Sequence, residues 1–108
     1  MTKINWVIVN CNSKKEAHTI GTALLKKRLV ACFDVIPERE AVSFWPPKSV
    51  KIEKIKGSML LCVSLPKKYK KIQAQVHAMH SDEVPFVGAL VIDGVNKDYV
   101  RWLVGEIG

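Results

Sequence analysis

The chain has 108 residues, 48% hydrophobic and 25% charged, with 17 Lys and Arg against 10 Asp and Glu, for a formal charge of +7. This composition excludes an intrinsically disordered chain, and the length fits one domain (1–108) able to close its own core without disulfide staples. No apolar run approaches the roughly 18 residues that would cross a bilayer, and the chain starts strand-like without a cleavable signal pattern, so a cytoplasmic location is expected.

"INWVIVNC" (4–11) is apolar and β-branched and predicts a first strand. In "NSKKEAHTIGTALLKKR" the period changes to that of a helix, with Ala17, Ile20, Leu24 and Leu25 on one face; Ser13 and Glu16 form an S-x-x-E capping box at its start. "LVACFDVI" predicts a second strand, broken by Pro37 and continued or replaced by "AVSFW". Pro46 and Pro47 force a turn, since neither can donate to a ladder. "VKIEKIK" and "SMLLCVSL" together read as one long strand with a bulge at Gly57.

Pro66 suits the first turn of a second helix, whose buried stripe is Tyr69, Ile72, Val76 and Met79. "FVGALVI" is a further strand, and Asn96 can cap a last helix carrying Tyr99, Trp102 and Leu103 on one side. The order is βαββαβ with a terminal helix. That defines an α+β, ferredoxin-like split βαβ sandwich with two helices on one sheet face. The strands are apolar on nearly every residue, so the other face is expected to meet the terminal helix or another subunit.

The three cysteines, Cys11, Cys32 and Cys62, form no CxxC pair and suggest neither a disulfide framework nor a zinc ribbon; they read as buried thiols. The lysines fall in clusters on polar helix faces and helix ends, which solvation alone explains. The βαββαβ order also serves RNA-binding modules that stack bases on aromatic strand residues, but "SMLLCVSL" has no aromatic residue and no RNP1-like segment occurs. No nucleic-acid partner is expected, and no phosphate-cradling glycine motif is present.

Residues 77–85, "HAMHSDEVP", carry the richest chemistry. His77 and His80 are three apart and could share a metal, with Met79 adding a thioether and Cys11, at the end of the first strand, a thiolate; such a set suits copper or zinc. The same residues also read as a helix end, with His80 at the negative pole of the dipole and Asp82 and Glu83 in the turn before Pro85. A Cys11–His80 nucleophile and base pair lacks any oxyanion element, so no enzymatic activity is expected.

Taken in order, "VIVNCNSKKEA", "KKRLVACFDVIP", "SFWPPK", "HSDEVPFVGALVI" and "NKDYVRWL" resemble the CutA family of divalent cation tolerance proteins over nearly the whole chain. "RLVACFDVIP" and the His-x-x-Glu-Val-Pro run are the most specific parts, matching the family's RLAACVNIIP and HPYEVP. The resemblance implies a ferredoxin-like protomer in a stable homotrimer, similar in arrangement to PII signalling proteins, with pockets at the subunit interfaces. It implies copper or another divalent ion as ligand, no obligatory cofactor, and a role in the response to metal ions. The alternative it leaves open is a PII-like sensor or scaffold that takes a small anionic metabolite or a partner protein at the interface.

Carried over by position, the resemblance gives Cys11 and His80 as metal ligands, with Met79 where some members have a second histidine. It places Trp45, Lys48, Glu83, Pro85, Tyr99 and Trp102 around the interface pocket. Ser81 and Asp82 stand where the motif has Pro and Tyr, Pro46 and Pro47 where the turn has Glu and Gly, and the chain is basic where most bacterial relatives are acidic.

Overall fold

The computed structural model describes residues 3–108. Its elements run β1 (Ile4–Cys11), α1 (Lys14–Lys26), β2 (Cys32–Phe44), β3 (Ile52–Ser64), a 3-10 turn (Pro66–Lys68), α2 (Tyr69–Met79), β4 (Val87–Ile92) and α3 (Lys97–Ile107). The strands form one antiparallel sheet in the order β2-β3-β1-β4, the ferredoxin-like topology expected from the sequence.

Alternation along β1 turns Val7, Val9 and Cys11 to the face that α1 and α2 cover, where they join Leu60, Cys62, Ala17, Ile20, Leu24, Ile72 and Val76 in the main core. The Ser13 hydroxyl accepts the Glu16 N–H at 3.0 Å and fixes the start of α1. Leu25, expected on the buried face of α1, is exposed; Gly21 is buried in its place, leaving room for the Phe33 ring. The helix ends with Arg28 in the left-handed region (φ 57), while Arg28 and Leu29 donate back to Leu25 and Leu24 at 3.0 Å.

The expected break at Pro37 does not occur. β2 runs through it, and the register shifts between Ile36 and Arg39, with Glu38 at φ 61. The bulge therefore lies on β2, opposite Ser58, and not at Gly57. Gly57 is instead a point of close backbone approach, where an added Cβ would be driven into the carbonyl oxygen of Cys11 as the chain leaves β1. Val50 and Trp45 lie outside the strands that the sequence assigns them to, flanking a turn that contains a cis Trp45–Pro46 bond and Lys48 at φ 64. The second helix begins as the 3-10 turn, and α2 follows it with Ile72 and Val76 buried.

The terminal helix α3 covers one end of the second sheet face, packing Leu103 and Ile107 on Ile4, Val63 and Leu65. Asn96 precedes α3 as expected, but its side-chain amide donates to Asp98 Oδ1 and not to the helix backbone. Beyond α3 the second face leaves Trp6, Ile36 and Leu90 uncovered. The β2–β3 hairpin extends the molecule to 48 × 26 × 23 Å and exposes Val42, Phe44, Trp45, Val50 and Ile52.

Candidate metal and ligand site

The end of β1, the first turn of α1 and the end of α2 converge on one point, because β1 and β3 are antiparallel, so the helices that follow them also run in opposite senses and the end of α2 lies beside the start of α1. One ligand atom each from Cys11, Glu16 and His80 lies within 4.8 Å of the others. His80 is the residue after the last turn of α2, and its N–H donates to the Val76 carbonyl at 2.8 Å.

The His80 ring is locked at both nitrogens. Nε2 lies 2.7 Å from the Asn10 carbonyl oxygen, which can only accept, and Nδ1 receives the Asp82 N–H at 2.9 Å. The imidazole is therefore the neutral tautomer with its proton on Nε2. Glu16 Oε1 is 3.6 Å from Nε2. The Glu16 carboxylate accepts the Asn12 N–H at 2.9 Å and the Ser81 N–H at 2.8 Å. Burial alone would raise its pKa, but these donors, the Ser81 hydroxyl and His80 outweigh it and hold the carboxyl below its ordinary value.

A folded-state pKa below the unfolded one contributes stability that is present above the unfolded value, 4.5, and is lost as pH falls through the folded value. Glu16→Gln should cost about 1–2 kcal/mol at pH 7, as expected for charge-assisted bonds to backbone donors. It should also flatten the loss of stability below pH 4.5 in urea unfolding; an unchanged acid limb would show that Glu16 is not the titrating group.

Cys11 is fully buried, its Sγ 3.9 Å from the Val9 carbonyl oxygen. Burial, with Glu16 and Asp82 adding to it and Arg39 opposing it, pushes the thiol up to about 11. The donor set is thus a thiol, an imidazole and a carboxylate, which suits borderline and soft divalent ions. Binding would require Cys11 to shed its proton and His80 to release one of its two hydrogen bonds. Met79 sits differently: its Sδ faces the Gln75 amide at 3.0 Å, and the residue lines a groove with His18, Thr22 and Lys26. His77 lies on the exposed side of α2, bonded to its own helix at the Gln73 carbonyl oxygen.

Ser81 and Asp82 are not loose. The Asn12 side-chain amide donates one hydrogen to Ser81 Oγ at 2.9 Å and the other to Asp82 Oδ1 at 2.8 Å. Next to them opens a cleft of about 580 Å³ lined by Asn12, Trp45, Glu53, Ile55, Asp82, Glu83 and Val84. Trp45 and Glu83 of the expected pocket thus meet in one cleft. Pro85 is buried just beyond, and Lys48 is in the hairpin turn. Tyr99 and Trp102 pair with each other on α3, ring centroids 5.4 Å apart, and the Tyr99 hydroxyl lies 3.8 Å from Cys32 Sγ. Within one protomer they do not line the cleft.

Glu16 and Asn12 are the site residues that sequence reasoning missed. The capping box marked Glu16, but nothing local indicates that its carboxylate reaches Ser81, 65 positions away.

The fold and this site define a ferredoxin-like protein with a Cys–Glu–His donor cluster at the open end of its helix layer. A family model described as CutA1 divalent ion tolerance protein matches residues 5–106. The divalent-cation tolerance protein CutA of Thermus thermophilus is 30% identical over 102 residues, covering 94% of this chain and 96% of that protein. The CutA of Archaeoglobus fulgidus is 28% identical over 99 residues, covering 92% and 93%. The solved Thermus thermophilus structure superposes with a TM-score of 0.88 at 28% identity over 97% of this chain and 99% of that one. CutA1 of Oryza sativa, at 24% identity, shares the fold with a TM-score of 0.91 over 99% and 95%. The chain belongs to the CutA1 divalent ion tolerance family.

Proposed function

We propose that the protein is a homotrimer that binds a soft or borderline divalent ion, copper foremost, through Cys11, Glu16 and His80, and acts in metal-ion tolerance without catalysing a reaction. The observation that carries this reading is the convergence of the three donors within 4.8 Å in a chain of this family. Met79, expected as a fourth soft donor, would have to leave Gln75 to take part. The three free thiols suit a reducing compartment such as the cytoplasm. Among the described residues no helix is long and apolar enough to cross a membrane.

Trimerisation is supported by apolar surface that a lone protomer leaves in water, with Val50 93% and Phe44 61% exposed on the hairpin. Lys48, Tyr99 and Trp102 would then complete the Trp45–Glu83 cleft from a neighbouring copy. The PII-like alternative, an anionic metabolite in that cleft, is opposed by its three carboxylates, Glu53, Asp82 and Glu83.

Copper titration under anaerobic conditions tests the metal reading. Cys11→Ser and His80→Ala should each weaken binding at least about a hundredfold, and Glu16→Gln about tenfold. Because the thiol must ionise from about 11, apparent affinity should rise about tenfold per pH unit near neutrality. Unchanged stoichiometry and affinity in both Cys11→Ser and His80→Ala would dismiss these ligands.

A further inference from the structure

The net charge is not spread over the molecule. Residues 13–31 and 65–81, which build the helix layer, hold nine of the 17 Lys and Arg and one of the 10 Asp and Glu, and that one, Glu16, is turned into the site described above. The remaining residues, eight basic and nine acidic, are close to neutral. Within the layer the charge gathers at the end away from Cys11. There the last turn of α1, with Lys26 and Lys27, lies beside the 3-10 turn and first turns of α2, with Lys67, Lys68, Lys70 and Lys71. Lys27 and Lys71 line one groove of about 430 Å³, and Lys27 Nζ reaches the Gln75 side chain. Among the described residues none of these six lysines meets a carboxylate; Arg28 alone does, at Glu106.

This arrangement is unfavourable for the protein by itself. α2 starts without a side-chain cap or an acidic residue in its first turn, so four lysines crowd the positive end of its dipole. An external anion at that end would relieve the repulsion, and the Lys27–Lys71 groove, with four more lysines at the same end of the layer, calls for an array of anions, not a single one.

We propose that this end of the helix layer docks on the phosphate backbone of duplex nucleic acid, without reading its bases. The residues of the layer speak against base stacking and against apolar anchoring in a bilayer. Its one aromatic, Tyr69, is half-buried with its hydroxyl donating to the Val87 carbonyl, so bases have nothing to stack on. Leu25 is the one exposed large apolar side chain among the layer's described residues, too little to anchor in a bilayer. Phosphate contact by ammonium groups needs neither, and a duplex offers about one charge per 1.7 Å. The sheet remains unsuited to base recognition; the docking surface lies on the opposite side of the protomer.

The test is fluorescence anisotropy with a labelled mixed-sequence DNA duplex between about 50 and about 200 mM salt. The wild type should bind with a log–log salt slope of about −4 to −5, reflecting roughly five neutralised phosphates. Replacing Lys67, Lys68, Lys70 and Lys71 together by Gln should weaken low-salt binding more than tenfold and bring the slope to about −1 to −2. The control replaces Lys51, Lys54 and Lys56 on the hairpin and Lys97 at the start of α3 by Gln; it removes the same net charge and should leave the slope unchanged. No binding by the wild type at low salt would overturn the proposal, as would equal losses in both variants. Tighter retention by phosphatidylserine and phosphatidylcholine vesicles than by the duplex at the same salt would overturn it in favour of a lipid surface. Neither variant should melt below the wild type, since all eight positions are solvated or half-buried lysines and the α2 variant also sheds the repulsion at that helix start.

Discussion

Gly57→Ala is expected to destabilise the protomer by about 3 kcal/mol or more in urea unfolding, far beyond what one methyl group on a strand ordinarily does. The cause is steric and not conformational: among the described glycines none has a positive φ. The added Cβ would instead meet the Cys11 carbonyl oxygen, and behind it the Cys11 carbonyl carbon and Asn12 Cα, all backbone. Backbone held by the Cys11–Ser58 pairing and the Ser13 cap cannot swing aside as a flexible side chain would. Relief has to come from prying β1 from β3 at the donor cluster. The same substitution should therefore disturb metal binding, although Gly57 carries no ligand. A Gly57→Ala protein within about 0.5 kcal/mol of the wild type would show that this close approach is not obligatory.

If the proposed trimer forms through the uncovered sheet face, Leu90→Lys should convert it to monomers of 12.1 kDa in size-exclusion light scattering while changing the stability of the separated protomer by less than about 0.5 kcal/mol. Leu90 is 55% exposed on β4, paired with Trp6 of β1 on the part of the second sheet face that α3 leaves uncovered. In an isolated protomer a lysine there is solvated at almost no cost. Across an apolar subunit interface its ammonium would be desolvated without a partner, a penalty of several kcal/mol repeated in each protomer. Retention of the trimer would place the interface elsewhere. A wild type that is already monomeric would rule the trimer out.

The architecture was legible in the sequence because it is written in local patterns. The S-x-x-E box set the start of α1, the apolar runs set β1, β3 and β4, and the stripe Ile72 and Val76 set α2. The details that escaped depend on partners distant in the chain. Pro37 is tolerated inside β2 because Glu38 takes a positive φ and the bulge absorbs the lost donor, with Ser58 of β3 opposite. Leu25 shares the helical period of the core but sits one position beyond the fully buried Leu24 and is left exposed, while Gly21 is used for the Phe33 ring. In the site, Cys11 and His80 were legible from resemblance and chemistry. The Asn12 amide that holds Ser81 and Asp82 was not, since those contacts join residues 69 and 70 positions apart. The departure from the family motif at Ser81 and Asp82 thus has a local physical role: Asn12 clamps both side chains beside an acidic cleft.

The central claim, that Cys11, Glu16 and His80 act together as a metal site, is tested most directly by titrating the metal-free protein with Co2+ and following the thiolate-to-metal charge-transfer absorption in the near ultraviolet. The predicted result is a band that saturates at a single equivalent per protomer, vanishes in Cys11→Ser and survives in Met79→Leu. A titration with no such band, or a band that persists in Cys11→Ser, would contradict it.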